Sequence, residues 1–119
     1  MKERRQFVRL DINVVINWNK GDAIPDQTAS VDLTKNISVG GICLIAYEKV
    51  AVGDVLDLTI DLPTRNTVSA KGKVMWVNEF ELVGSESTQR YDVGVQFIQV
   101  REQDMQEISK FIFKFINVV

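Results

Sequence analysis

Leu56-Asp57-Leu58-Thr59-Ile60-Asp61-Leu62, then Pro63-Thr64-Arg65-Asn66, then Val68-Ser69-Ala70-Lys71-Gly72-Lys73-Val74-Met75-Trp76: an apolar residue recurs at every second position, breaks off, and recurs again. Side chains of a strand alternate between its two faces, so a period of two predicts strands with one face buried and one wet. Proline and asparagine in the gap are turn formers, so the stretch reads as a β-hairpin. The same period appears on both sides of it. Ala29, Val31 and Leu33 alternate with Ser30, Asp32 and Thr34, and Tyr91, Val93, Val95 and Phe97 alternate with Asp92, Gly94 and Gln96. Residues 42–47 are continuously apolar and predict a more buried strand. Residues 10–18 predict another, with Ile12, Val14, Ile16 and Trp18 on one side.

Turn signals separate these runs: Lys20-Gly21-Asp22 with Pro25, Val39-Gly40-Gly41, and Val52-Gly53-Asp54. The polar stretch 79–89 reads as a longer loop. Six strands at this spacing predict an all-β fold, a closed or nearly closed antiparallel barrel. After Glu102-Gln103-Asp104 the period changes. Met105, Ile108, Phe111, Ile112, Phe115 and Ile116 fall at helical spacing and predict one C-terminal α-helix. Its stripe is expected to pack over a barrel mouth, with membrane or partner contact as the rival for the extra Phe113 and Val118-Val119. Trp18 and Trp76 are expected on buried strand faces, and Gly94 and Phe97 read as packing.

At 119 residues, 45% apolar and 25% charged, the chain suits one soluble domain: a basic arm over residues 1–9 and the barrel plus helix over 10–119. No histidine is present and Cys43 is the only cysteine, which excludes cysteine–histidine zinc sites, an intrachain disulfide and the usual acid–base residue of neutral pH. Cys43 itself reads as a small buried apolar group. Asp54, Asp57 and Asp61 lack calcium-loop spacing, and Gly40-Gly41 lack the Lys-Ser/Thr of a phosphate loop. Binding is therefore expected, with no catalytic residue and no metal. With no apolar leader and no apolar run of membrane length, the cytoplasm is the expected compartment.

Net charge is only −2, yet Lys2, Arg4, Arg5 and Arg9 crowd the first nine residues. Local charge governs the field at a site more than the sum does. Arg5 and Arg9, four apart, share a side in a strand or in a helix, about 13 Å apart if extended and about 6 Å apart if helical. Guanidinium forks pair with phosphate oxygens and with the O6/N7 edge of guanine. In Asn36-Ile37-Ser38-Val39-Gly40-Gly41, Asn36 and Ser38 are expected on one face with Ile37 in the core. Glycine at 40 or 41 allows positive φ and a close approach to the backbone. The plainer alternatives are a solvated tail and a turn in which Asn36 and Ser38 bond their own backbone.

Arg5-x-x-x-Arg9 followed by Asn36-x-Ser38-x-x-Gly41, on six strands and a terminal helix, resembles the PilZ domain family of bacteria, over essentially the whole chain. The resemblance implies a six-stranded PilZ-type barrel and a receptor for cyclic di-GMP. It implies that Arg5 and Arg9 grip guanine and phosphate, that Asn36 meets a guanine edge and Ser38 a phosphate, and that Gly41 leaves room for the purine. Arg4 resembles the extra basic residue of members suited to a stacked ligand dimer, and Gly40 completes the expected ligand-binding set. Asn36 stands where the family often has Asp, so charge assistance to the guanine N–H groups is lost. Binding is expected to order the arm and to act through a downstream protein partner, without nucleic acid and without membrane insertion. The alternative is a ligand-free interaction module of the same fold.

Overall fold

The computed structural model describes residues 8–21, 30–64, 66–81 and 89–116. Six strands follow one another along the chain: β1 (Val15–Lys20), β2 (Ser30–Ile37), β3 (Gly41–Ala46), β4 (Val55–Asp61), β5 (Thr67–Glu81) and β6 (Gln89–Val100), with α1 (Glu102–Ile116) last. They close into a barrel in the order β1-β2-β3-β6-β5-β4, every pair antiparallel. Closure gives each strand two neighbours, although the far half of β5, beyond Val74, continues beside β6 alone. The alternating stretch from Leu56 to Trp76 is β4–β5, with Leu58 opposite Ala70 and Ile60 opposite Val68. Its alternation faces inward as expected: Leu56, Leu58, Ile60, Val68 and Val74 are all buried.

The helix begins with Glu102 and Asp104, which favour the positive end of its dipole. Arg101 Nε donates to Asp104 Oδ2 at 3.0 Å. Ile108, Phe111 and Ile112 join the barrel core, and the helix lies against β5. Met105 and Phe115 of the expected stripe are exposed, although Phe115 still meets Phe111 edge to face at 4.9 Å between ring centroids. No helix among the described residues is long and apolar enough to cross a membrane.

Three expectations change. The polar stretch 79–89, expected as a loop, is strand at both of its described ends, because β5 runs to Glu81 and β6 begins at Gln89, while residues 82–88 lie outside the described residues. In β2 the buried face is the opposite one: Val31 and Leu33 are exposed, whereas Thr34 is fully buried and Asp32 turns toward the buried Trp18. The cause is hydrogen bonding. Trp18 Nε1 donates to Asp32 Oδ2 at 2.8 Å, and Thr34 Oγ1 accepts from Val14 N and donates to Ile12 O, both at 3.0 Å. Polar side chains whose bonding capacity is met can occupy the interior, so alternation gave the period of this strand and not its inward side. Burial, helped by the negative charge of Glu48, raises the Asp32 carboxyl from its ordinary value, although the Trp18 bond opposes this.

The third change concerns Trp76, which is 45% exposed on the outer surface. A β-bulge between Val74 and Trp76 inserts Met75 as an unpaired residue, so the parity of β5 flips from that point. Val74 is the last inward residue of the first half, and Trp76 points out beside Met75. A second bulge, between Thr34 and Asn36, performs the same inversion on β2. Thr34 and Ile37 are both buried, three apart, and Asn36 is thereby turned outward.

Candidate ligand site

The chain enters the barrel through Leu10, which exchanges both backbone hydrogen bonds with Ile37: Leu10 N to Ile37 O at 2.8 Å and Ile37 N to Leu10 O at 2.9 Å. In such an antiparallel pair Arg9 comes beside Ser38 and Asp11 beside Asn36. Leu10 and Ile37 face inward, so their neighbours share the outer surface. The clasp made by Thr34 on residues 12–14, with Asn13 Nδ2 donating to Thr34 O at 2.8 Å, holds this segment in place. Arg9 and the Asn36-Ser38 corner, 27 residues away in sequence, are thus brought together by one two-residue bridge.

Arg9, Asn36 and Ser38 border a cleft of about 340 Å³ that is also lined by Gly40, Gly41, Gln96, Met75 and Trp76. Arg9 is half exposed, and its Nε lies 3.5 Å from Asp11 Oδ1, an exposed pair of the kind that contributes little and yields readily to a stronger anion. The Asn36 amide makes no hydrogen bond with any described residue, which leaves its donors and its acceptor for a ligand. Ser38 does what the plainer reading held: its Oγ accepts from Gly40 N and Gly41 N and donates to Gly41 O, each at 3.2 Å. The hydroxyl therefore stiffens the turn and also lines the cleft.

Gly41 has a packing role besides the expected one. Neither Gly40 nor Gly41 has positive φ; among the described residues only Gly53 does, at 97°. A Cβ at Gly41 would run into the backbone oxygen of Val95, so glycine is needed there for β3 to close on β6. Gly94 plays the matching part opposite Trp76, its register partner. A Cβ at Gly94 would collide with the indole at Nε1 and Cε2, so the missing side chain lets the ring lie flat against β6. Trp76, Met75 and Gln96 are cleft residues that the motifs did not mark. For Trp76 the available signal was Gly94, since a glycine within a strand often marks close approach of another group.

Cys43 lines the floor, buried, with its thiol pushed up mainly by burial and secondarily by the negative charge of Asp92. It is an inert wall rather than a nucleophile. Arg4 and Arg5 lie outside the described residues, so of the three expected arginines the structure brings only Arg9 to the site.

A small closed barrel carries here a cleft with a guanidinium, an amide, a hydroxyl turn and an indole, contacts of the kind that suit a polar ligand with planar parts. The family model described as PilZ domain matches residues 3–114, and the chain belongs to the PilZ domain family. Solved structures share its fold. The Bacillus subtilis inhibitor of motility, MotI/DgrA, superposes with a TM-score of 0.74 at 22% identity, over 98% of this chain and 54% of that one. The PilZ domain of Escherichia coli YcgR, solved with c-di-GMP, gives 0.72 at 12% identity, over 94% and 91%. The K. pneumonia MrkH–c-di-GMP complex gives 0.75 at 19% identity, over 97% and 52%. The chain thus spans about half the length of MotI/DgrA and of MrkH. A comparison with curated proteins finds no match.

Proposed function

We propose that this chain is a receptor for cyclic di-GMP that changes its contacts with a protein partner when the dinucleotide binds. The observation that carries the reading is the meeting of Arg9, Asn36, Ser38 and Trp76 around one cleft. It is supported by membership of a family among whose similar structures are complexes with that ligand. Each residue type matches a feature of the ligand. Arg9, exchanging Asp11 for the ligand, offers its fork to a phosphate or to guanine O6/N7. Asn36 takes a guanine edge. Ser38 turns its proton from Gly41 O toward a phosphate oxygen, and the Gly40 edge of the turn lies alongside. Trp76 supplies the flat surface on which a purine stacks.

Arg4 and Arg5 belong to the arm of residues 1–9, which on this reading folds over the bound dinucleotide and completes its cationic cover. The cleft offers charge, hydrogen bonds and stacking area, with no group set to move a proton, so the role is binding rather than catalysis. A cytoplasmic setting and a protein rather than a nucleic acid as partner fit an acidic chain in which four of the fourteen basic residues crowd the arm and the other ten are spread along the rest.

Titration calorimetry of the full chain with cyclic di-GMP tests this directly. Saturable heat, abolished by Arg5→Ala and by Arg9→Ala with the thermal midpoint nearly unchanged, is the expected outcome. No heat with ligand in excess at micromolar protein would end the proposal and leave a ligand-free interaction module.

A further inference from the structure

The outward turn of β2 leaves an apolar face that the nucleotide reading does not use. Val15, Leu33 and Ile45 form one cross-strand row on the outside of β1, β2 and β3, since Val15 pairs with Leu33 and Leu33 with Ile45. Val31, 64% exposed, and Tyr47, 55% exposed, continue the surface. Together they line a groove of about 350 Å³ whose other wall is Arg90. Exposed large apolar side chains scattered singly need no explanation, but a contiguous set around a cation does.

Arg90 is the unusual member. Its Nε is shielded from water and has no hydrogen-bond partner among the described residues. Its one ionic neighbour among the described residues is Asp92 Oδ1, 3.8 Å from Nη2. Asp92 is already engaged by Lys35 Nζ at 3.0 Å, through its other oxygen. The guanidinium therefore borders an apolar groove without a full complement of acceptors. Asp32 also borders the groove, but its Oδ2 is taken by Trp18. A carboxylate laid in the groove would supply a charge-assisted partner to the part of the guanidinium that remains exposed, beside apolar side chains that strengthen such pairing.

We propose that the outer face of β1, β2 and β3 docks a segment of a partner protein in which one carboxylate is flanked by large apolar side chains, with Arg90 as its anchor. A second copy of this chain fits less well, because a two-fold axis through the groove would bring the two Arg90 guanidiniums together. The proposal stands independently of cyclic di-GMP binding. The groove and the nucleotide cleft are nonetheless neighbours: Asp92, which Arg90 and Lys35 share, is two residues from Gly94, and Lys35 occupies the bulge that turns Asn36 outward.

The test titrates the isotope-labelled full chain with a capped heptapeptide, Thr-Leu-Thr-Glu-Thr-Leu-Thr, followed by amide chemical shifts. Alternate positions put both leucines and the glutamate on one side when extended. The expected result is saturable shifts centred on Val31, Leu33, Tyr47 and Arg90. Replacing the peptide's glutamate by glutamine should weaken binding by about tenfold, the loss of one charge-assisted contact. Arg90→Met should weaken the glutamate peptide by the same factor and abolish the distinction between the two peptides. Should that variant not fold, the peptide pair on the unaltered chain still decides. Absence of shifts at these residues up to millimolar peptide, or equal binding of the two peptides, would overturn the proposal. So would self-association in sedimentation that Val31→Asp removes, since the face would then belong to a second copy.

Discussion

Replacing Gly94 by alanine adds one methyl group, and the structure says where it goes. The new Cβ would overlap Trp76 at Nε1 and Cε2 and stand 2.7 Å from Cδ1, against an ordinary carbon–carbon contact of about 3.5–4.0 Å. The indole must therefore move off β6 by about 1 Å or more. It can do so, because Trp76 is 45% exposed and its outer side meets solvent. The cost in stability should be small, about 1 kcal/mol, the low end of overpacking penalties, since no enclosed wall resists the movement. The cost in binding should be larger. A base stacked on an aromatic ring contributes about 1–3 kcal/mol, so displacing the platform predicts an affinity for cyclic di-GMP lowered by about 5- to 150-fold. Calorimetry measures the affinity, and a thermal melt measures the stability. Tryptophan emission reports the ring directly, since Trp18 is buried and hydrogen-bonded and should not respond. Wild-type affinity together with a shifted emission would refute the stacking role. A stability loss of several kcal/mol would refute the claim that the indole is free to move.

Arg9→Ala should reduce binding at least tenfold while changing the free protein's stability by less than about 1 kcal/mol, because the Arg9–Asp11 pair is exposed; calorimetry and a thermal melt separate the two effects. Lys35→Met leaves the buried Asp92 facing only Arg90 at 3.8 Å, and urea unfolding should show a loss of about 2 kcal/mol, below the range for a fully buried pair because Lys35 is itself half exposed. Asp32→Asn tests the carboxyl that burial raises. Its proton is held more tightly in the folded chain than in the unfolded one, so the stability tied to that proton is present at low pH and lost as pH rises through the folded pKa. The asparagine variant, which can still accept from Trp18, should therefore be the more stable protein at pH 7. Its advantage should vanish below the ordinary carboxylate range, as followed by thermal melts across pH.

How much of the site was legible depends on which interactions formed it. Arg9, Asn36 and Ser38 stand in motifs whose residue types carry their chemistry, and a strand period suffices to place Asn36 and Ser38 on one face. Trp76 belonged to no motif. Its alternation with Val68, Ala70, Gly72 and Val74 argued for the core, and only the bulge at Met75 reversed it. The bulge is a property of the pairing between β5 and β6 and leaves no mark in either strand alone. The packing role of Gly41 was hidden for a related reason: the backbone it accommodates is that of Val95, 54 residues downstream.

Periods of two and of 3.6, the turn residues between them and the two spaced motifs are local properties, and from them alone came six strands, one helix and a polar ligand corner. Local patterns cannot state which face of Val31-Asp32-Leu33-Thr34 points inward, because either face can be buried if its polar groups find partners. That choice was made by Trp18, Ile12 and Val14 offering hydrogen bonds to Asp32 and Thr34 across the barrel. It left Val31 and Leu33 on the outer surface beside Arg90, and the two bulges turned Asn36 and Trp76 outward to the cleft. Those decisions were taken between strands rather than within them, since a register is fixed only when two chain segments meet.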